Sequence, residues 1–275
     1  MQKSVLEGTL FTMKKALILL FLFVLQTSIA QENSYQHSFT YKYTFQEDAT
    51  NANTKYTEQM VLLVGKNKSV YISPVKIVVD DKRSEIKKRS GGVSEIIDFK
   101  KTLPKNRILT VHQKNLRNRK ITFQDNYFLK IIEVEEDFPH FNWLIQKEKK
   151  RILGYQCQLA TLNFKGRDYE AWFSTDIPLQ NGPWKFGDLP GLIFEIKDSK
   201  NHHTFILEEI KNVKGEFPAL ADGRRVIKTT PATYAKTKKG IANEMVQMSV
   251  GESKTRLKKS LKNSEKTDNP IELKD

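Results

Sequence analysis

Twelve consecutive residues near the start of the chain, Tyr35 to Gln46, alternate between large and polar side chains. One parity carries the aromatic rings, with His37 as the only interruption: Tyr35, Phe39, Tyr41, Tyr43 and Phe45. The other parity is polar throughout. A period of two residues is typical of a β-strand with one buried and one solvated face, and a helix would distribute the same rings around its axis. The pattern therefore predicts a sheet with one aromatic face.

Shorter patterns of the same kind continue along the chain. They predict further strands at residues 56–64, 70–72, 75–79, 108–112, 120–124, 127–135, 155–164, 168–174, 192–197 and 203–210. The turn 165–167 joins two of these strands into a hairpin. The charged stretch 80–92 ends in Gly91-Gly92 and is predicted to be a mobile loop. No long helix is predicted before residue 230.

These strands predict a mainly β fold, a curved antiparallel sheet of roughly eight to eleven strands. A half-barrel, a barrel and a sandwich all suit this content, and the half-barrel is preferred because the strands are long and helices few. Hydrophobic residues make up 39% of the chain, which is enough for a real core and excludes a largely disordered protein. A curved aromatic face with little helix to cover it also predicts an apolar cavity or groove.

The first 30 residues have the composition of a secretory signal peptide. Lys14 and Lys15 precede ten consecutive apolar residues, 16–25, and small residues follow at Ser28 and Ala30. Ten helical residues span about 15 Å, half of a bilayer's hydrocarbon core, which disfavours a membrane anchor. We therefore expect a periplasmic or secreted protein that is cleaved after Ala30. Met13, which directly precedes the two lysines, is an alternative start to Met1.

Positive charge is concentrated near the end of the chain. The formal net charge is +14, and residues 224–266 contain 12 basic and 3 acidic side chains. We expect a β domain at 31–223 and a basic segment at 224–275 that is packed on it or tethered to it. Thr230-Pro231 predicts a helix start there. Such a segment suits an anionic lipid surface or an acidic partner, whereas the scarcity of aromatics argues against nucleic acid; a solvated tail is the alternative.

No pattern in the sequence points to catalysis, a metal or a cofactor. The five histidines lack metal-ligand spacing, and His202-His203 would straddle a strand. The single cysteine, Cys157, cannot form an internal disulfide and is expected to be buried and inert. The acidic run 133–137 is interpreted as a solvated strand end.

The Gly/Pro-rich passage that follows residue 175 carries a family resemblance. Residues 152–161, 165–167, 171–174, 176–178 and 182–186 lead to Gly187-Asp188-Leu189-Pro190-Gly191-Leu192-Ile193, and Asn269-Pro270-Ile271-Glu272-Leu273 stands near the end. In this order the motifs resemble the GLPGLI family of exported bacterial proteins, with Asp188 inserted in the signature. The resemblance implies a secreted or periplasmic protein, often encoded near outer-membrane import systems. It implies no established activity and no catalytic residues.

The signature itself has two interpretations. Leu189-Pro190-Gly191 fits a tight turn with a positive φ at Gly191, which would make Gly187, Leu189, Pro190, Gly191, Leu192 and Ile193 structural. Alternatively, the loop presents Trp184 and Phe186, together with Trp172, to a ligand or partner.

The sequence as a whole predicts an exported, non-enzymatic binding or accessory protein. Its partner would be a hydrophobic ligand or an outer-membrane protein. The alternatives are a protein that binds polyanions or the membrane surface and a hydrolase whose site is assembled by the fold.

Overall fold

The computed structural model describes residues 33–128, 130–221, 226–267 and 269–272, so the predicted signal peptide lies outside the described residues. The strands are β1 Ser34–Gln46, β2 Lys55–Val64, β3 Lys68–Ile72, β4 Val111–Asn115, β5 Lys120–Tyr127, β6 Lys130–Asp137, β7 Leu144–Ile152, β8 Tyr155–Phe164, β9 Arg167–Ser174, β10 Leu192–Asp198, β11 His203–Glu216 and β12 Val226–Thr229. The helices are α1 Pro74–Lys88, α2 Val93–Lys101, α3 Pro231–Met248 and α4 Gly251–Thr267.

All twelve described strands belong to one sheet, which confirms the predicted fold class. Their order is β12-β6-β5-β4-β3-β2-β1-β11-β10-β9-β8-β7, and every pairing is antiparallel except that of β12 with β6. The described strands form two meanders, β1–β6 and β7–β11, joined where β1 pairs with β11. Because β7 and β12 stand at opposite ends of this order, the described sheet is open and is not a closed barrel.

The connection from β6 to β7 shows how strongly this sheet curves. The two strands stand ten positions apart in the sheet order, which would be about 48 Å in a flat sheet. The connecting residues 138–143 can span only about 25 Å when fully extended. The sheet must therefore fold over until its two halves face each other.

The space between the two halves is filled by four of the five aromatic residues predicted for one face of β1, Phe39, Tyr41, Tyr43 and Phe45. The fifth, Tyr35, packs instead against a separate cluster that contains Phe217. Phe39 and Tyr41 are buried, as are Met60 and Leu62 on the neighbouring β2. Phe205 of β11 stacks on Tyr43 with ring centroids 4.1 Å apart. The period-two pattern thus correctly identified the inner face of the central strand.

The prediction for residues 75–92 was wrong, and so was the expectation of little helix before residue 230. The expected strand at 75–79 and the expected mobile loop at 80–92 form α1, followed by α2. Pro74 begins α1 at the position where a missing N–H costs nothing. The ion pair of Lys76 with Asp80, 2.6 Å, joins successive turns. The β-branched run at 75–79 imitated a strand, while the helical spacing of Val79 and Ile86, both buried, was overlooked.

The basic segment begins as part of the sheet. Its first described residues form β12, which pairs with β6 across the expected boundary at residue 224. The helix predicted to start at Thr230-Pro231 is confirmed as α3. Ile241 of α3 is buried against Ile132 and Val134 of β6. No helix among the described residues is both long and apolar enough to cross a membrane.

Candidate functional site

The Gly/Pro-rich passage runs across the inside of the curved sheet. Phe186 is fully buried, and its ring centroid lies 5.0 Å from those of Tyr169 and Trp184. Leu189 is also buried in this cluster. The loop therefore does not present Trp184 and Phe186 to solvent, and the interpretation of both as ligand-binding rings needs correction: they close the interior.

Trp172 lies elsewhere. It stands on β9 between the buried Ala171 and Phe173, so its side chain takes the opposite, half-buried face. The ammonium group of Lys150 is 4.3 Å from its ring centroid, a distance typical of a cation–π contact. Trp172 packs against the outside of the cluster that contains Trp184 and Phe186, and a binding role for Trp172 stays a prediction.

Lys114 holds the passage in place from β4. Its side chain is fully buried, and its Nζ donates to Asn181 Oδ1 at 2.9 Å, to the Gly182 carbonyl at 2.9 Å and to the Phe186 carbonyl at 2.5 Å. Three acceptors satisfy all three protons of an ammonium group. Burial lowers the pKa of Lys114 to about 7. The ammonium group of Lys114 thus binds its own chain.

The signature glycine is required for a reason other than the one predicted. Gly191 does not have a positive φ; the left-handed residues of this loop are Trp184 and Asp188. A Cβ at Gly191 would lie 2.0 Å from the carbonyl oxygen of Ser174. Close approach of two backbone segments, and not turn geometry, therefore excludes every side chain here. Asp188, the residue inserted in the signature, accepts two hydrogen bonds from Arg119, at 3.1 and 2.9 Å.

The remaining signature residues also lie inside the protein. Leu192 and Ile193 are buried at the start of β10, and the Gly187 carbonyl accepts a hydrogen bond from the Trp143 indole at 2.9 Å. Pro190 is the exposed member of the motif. This burial supports the structural interpretation of the signature.

A second buried polar cluster lies where β9, β10 and β11 begin or end. Arg167 and Asp198 form an ion pair at 2.8 Å, and their side chains are only 3% and 2% exposed. Asp198 also accepts a hydrogen bond from the backbone N–H of His203. Burial, and then the nearby Arg167, lower the pKa of His203 to about 4. Tyr43 lies within hydrogen-bond distance of the same imidazole, 2.8 Å from Nδ1.

This cluster receives the last described residues of the chain. Nη2 of Arg167 donates to Asn269 Oδ1 and to the Pro270 carbonyl, both at 2.6 Å. The hydroxyl of Tyr169 donates to the Ile271 carbonyl at 3.0 Å. The end motif is thus bound where these inner strands begin or end, although Asn269 lies 102 positions after Arg167.

Lys185 joins the loop to the same end motif. Its ammonium lies 2.6 Å from Glu136 and 2.9 Å from Glu272, and its side chain is 5% exposed. The interpretation of the acidic run as a fully solvated strand end was therefore wrong for Glu136, whose side chain is 17% exposed.

The thiol of Cys157 or a grouping of possible metal ligands would be a further site of chemistry. Cys157 is buried, and burial raises the pKa of its thiol to about 11, which agrees with an inert cysteine. Within the described ranges 33–128, 130–221, 226–267 and 269–272, no three His, Cys, Asp or Glu side chains are grouped to hold a metal ion.

Sequence reasoning missed three cations that are buried in the described part of the chain, Lys114, Arg167 and Lys185. For two of them a signal existed in the parity of their strands. Lys114 shares the inward parity of His112, and Arg167 shares that of Tyr169. Arg167 had been assigned to the hairpin turn, and Lys185 lies in an irregular loop without any periodicity.

The two helices at the end present a different kind of surface. Exposed basic side chains lie along both of them: Lys236, Lys239, Arg256, Lys258, Lys259 and Lys262. At the junction between α3 and α4, Met248 is 73% exposed and Val250 is 81% exposed. Basic flanks around an exposed apolar tip are typical of a segment that rests on a lipid surface.

Comparisons with known proteins identify the family. No curated protein matches the chain. Similar solved structures include PNGF-II in the P21 space group, with 14% identity and a TM-score of 0.49 over 75% of this chain, and PNGF-II in the C2 space group, with 14% identity and a TM-score of 0.48 over 74%. The chain spans only about a third of their length, 33% and 32%. The GLPGLI resemblance remains a prediction from motifs. Residues 65–234, more than half of the chain, match the family described as N-glycanase peptide, N-terminal domain, and the protein belongs to that family.

Proposed function

We propose that the protein is an exported, non-enzymatic accessory protein of the cell envelope that binds an anionic lipid surface through α3 and α4. The observation that supports this most directly is the exposed apolar tip, Met248 and Val250, between two helices that carry exposed lysines. The predicted signal peptide at 1–30 and the GLPGLI resemblance support export.

The buried ionisable groups favour a role other than catalysis. The ammonium of Lys114 is surrounded by three oxygen atoms of the chain itself, and Lys185 lies between two carboxylates. Arg167 is paired with Asp198 and His203 with Tyr43. Groups with displaced pKa values often mark active sites, but here each contact stabilises a loop, a strand end or the end motif.

A role in carrying a hydrophobic ligand has less support. The aromatic face of β1 is covered by this chain's own Phe186 and Leu189. A pocket lined by Arg119 and Asp188 has a volume of about 180 Å³. Most small-molecule sites are larger, with volumes of roughly 300–1,000 Å³.

The proposal is tested with liposomes. The protein is sedimented with vesicles of phosphatidylcholine alone and with vesicles containing phosphatidylglycerol, at low and at high salt. Each basic residue near an anionic surface contributes about 1 kcal/mol, so the substitutions Lys258→Glu, Lys259→Glu and Lys262→Glu together should abolish binding. Replacing Met248 and Val250 by serine should weaken it at both salt concentrations, because the apolar contribution is not screened.

A matched control separates this surface from net charge alone. Lys87, Lys88 and Lys100 are exposed on α1 and α2, and their change to glutamate alters the net charge by the same amount. This control protein should bind as the unmodified protein does. Equal binding of both triple variants, or equal binding to neutral and anionic vesicles, contradicts the proposal.

The family description favours a second candidate function. Because the related domain is described as part of an N-glycanase, the protein could assist the hydrolysis of glycans from proteins, as the hydrolase alternative also supposes. Incubation with an N-glycosylated peptide, followed by mass spectrometry, distinguishes the two: release of the glycan would favour the enzyme, and an intact glycopeptide the accessory role.

A further inference from the structure

The end motif occupies a cleft whose walls are built from buried, charged and polar side chains. Arg167 and Tyr169 come from β9, His203 from β11 and Lys185 from the Gly/Pro-rich loop. Each of these side chains belongs to a residue that is at most 4% exposed. We propose that this cleft is a sequence-specific peptide-binding site for the segment Asn269-Pro270-Ile271-Glu272, which the chain fills with its own tail.

Side chains of the cleft donate hydrogen bonds to the backbone of the segment. Three successive carbonyl groups each accept one hydrogen bond: that of Asn269 from His203 Nε2 at 3.1 Å, that of Pro270 from Arg167 at 2.6 Å and that of Ile271 from Tyr169 at 3.0 Å. The backbone bends at Ile271, so three donors at successive positions select one particular path of the peptide backbone.

The side chains of the segment add sequence specificity. The Asn269 amide accepts from Arg167 at 2.6 Å and donates to the Gln46 carbonyl at 2.8 Å. An aspartate could accept the first bond but could not donate the second. Glu272 pairs with Lys185. Pro270 has no N–H to leave unsatisfied, and Ile271 packs against the main aromatic cluster.

The donors are oriented by contacts that do not involve the segment. Arg167 is held by Asp198, which also accepts from the His203 backbone N–H. Because Nε2 of His203 faces a carbonyl oxygen, it carries the proton, and Nδ1 accepts from the Tyr43 hydroxyl at 2.8 Å. An empty cleft would leave these buried donors without acceptors, which is costly. The site therefore favours occupancy and holds the chain that follows α4 against the sheet.

To test the proposal, the segment that contains residues 269–272 is released by proteolysis after the full chain has folded. A protease recognition site is inserted between Thr267 and Asp268, the purified protein is cleaved, and a fluorescent peptide of residues 268–275 is added at increasing concentration. We expect saturable binding by anisotropy, and release of the original peptide from the cleft. Peptides with Asn269→Ala or Asn269→Asp should bind at least tenfold more weakly, and Glu272→Gln several-fold more weakly.

Two controls separate recognition from charge attraction. A scrambled peptide of identical composition should not compete, and Arg256→Ala, an exposed arginine on α4, should leave the affinity unchanged. In the protein, Arg167→Lys should weaken binding at least tenfold, since a single ammonium cannot replace the fork of donors. Because that variant can also lose stability, the peptide series on the cleaved protein that retains Arg167 decides the outcome. Equal binding of native and scrambled peptides, or no binding to a cleaved protein with an intact circular dichroism spectrum, overturns the proposal.

Discussion

Two groups of positive charges in this protein have opposite surroundings. Lys114, Lys185 and Arg167 are buried and are surrounded by carbonyl, amide or carboxylate oxygens of the chain. Lys258 and Lys262 of α4 stand in solvent. The residue types are the same, so the difference lies in where the sheet places them. Buried cations without their partners would be strongly destabilising, whereas exposed ones contribute little to stability and remain available to an anionic surface.

Among substitutions in the interior, Gly191→Val should lower the free energy of unfolding the most. The new Cβ would lie 2.0 Å from the Ser174 carbonyl oxygen, and backbone cannot move aside as a flexible side chain can. We expect a loss of more than about 4 kcal/mol in the free energy of unfolding, measured by urea denaturation.

Gly240→Ala is the matched control for that substitution. Nothing lies within 4 Å of a Cβ at Gly240, which is inside α3. Alanine there should stabilise the protein by about 0.5–1 kcal/mol. If Gly191→Val unfolded no more easily than the unmodified protein, the Gly/Pro-rich passage would not be held against the sheet as described.

A slightly smaller loss should follow from Arg167→Met, which leaves Asp198 buried without its cation. Breaking a buried pair by removing one partner costs about 3–5 kcal/mol. Arg256→Met on α4 removes an exposed pair with Glu252 and should change the free energy of unfolding by less than about 1 kcal/mol. Equal effects of the two arginine substitutions would contradict the distinction between buried and exposed cations.

The interior cluster should also make stability depend on pH through His203. The pKa of His203 in the folded protein is about 4, below its ordinary value of 6.5. Between pH 6.5 and pH 4, His203 is therefore protonated in the unfolded chain but not in the folded protein. The contribution is complete above pH 6.5 and is lost as the pH falls to about 4, a difference of roughly 3 kcal/mol. Chemical denaturation at a series of pH values should show this decline. His203→Gln should flatten it; an unchanged slope would contradict the assignment.

The sequence predicted the sheet better than the site, for physical reasons. Strands with one buried face leave a period of two, and β8 was predicted with its observed bounds. α1 was mistaken for a strand because residues 75–79 are mostly β-branched. Which of them are buried depends on residues that are distant in the sequence. Lys114 and Arg167 break the apolar pattern of their strands, so local patterning assigns them to solvent or a turn.

The contacts of the end motif could not be found from local pattern at all. Arg167 and Asn269 are 102 positions apart, and nothing in the periodicity of either segment indicates that they meet. The end motif was recognised as part of a family resemblance, but its binding partners follow only from the three-dimensional arrangement of β1, β9 and β11.

Substitutions of the exposed lysines on α4 should have the smallest effect on stability. Changing Lys258, Lys259 and Lys262 to glutamate removes no buried contact, so we expect the free energy of unfolding to change by less than about 0.5 kcal/mol. The same variant should lose its binding to anionic vesicles, because three charges of about 1 kcal/mol each are reversed. Urea denaturation and vesicle sedimentation on one protein preparation measure both quantities. A large loss of stability would mean that these lysines are structural after all, and retained binding would place the lipid-contacting surface elsewhere on the molecule.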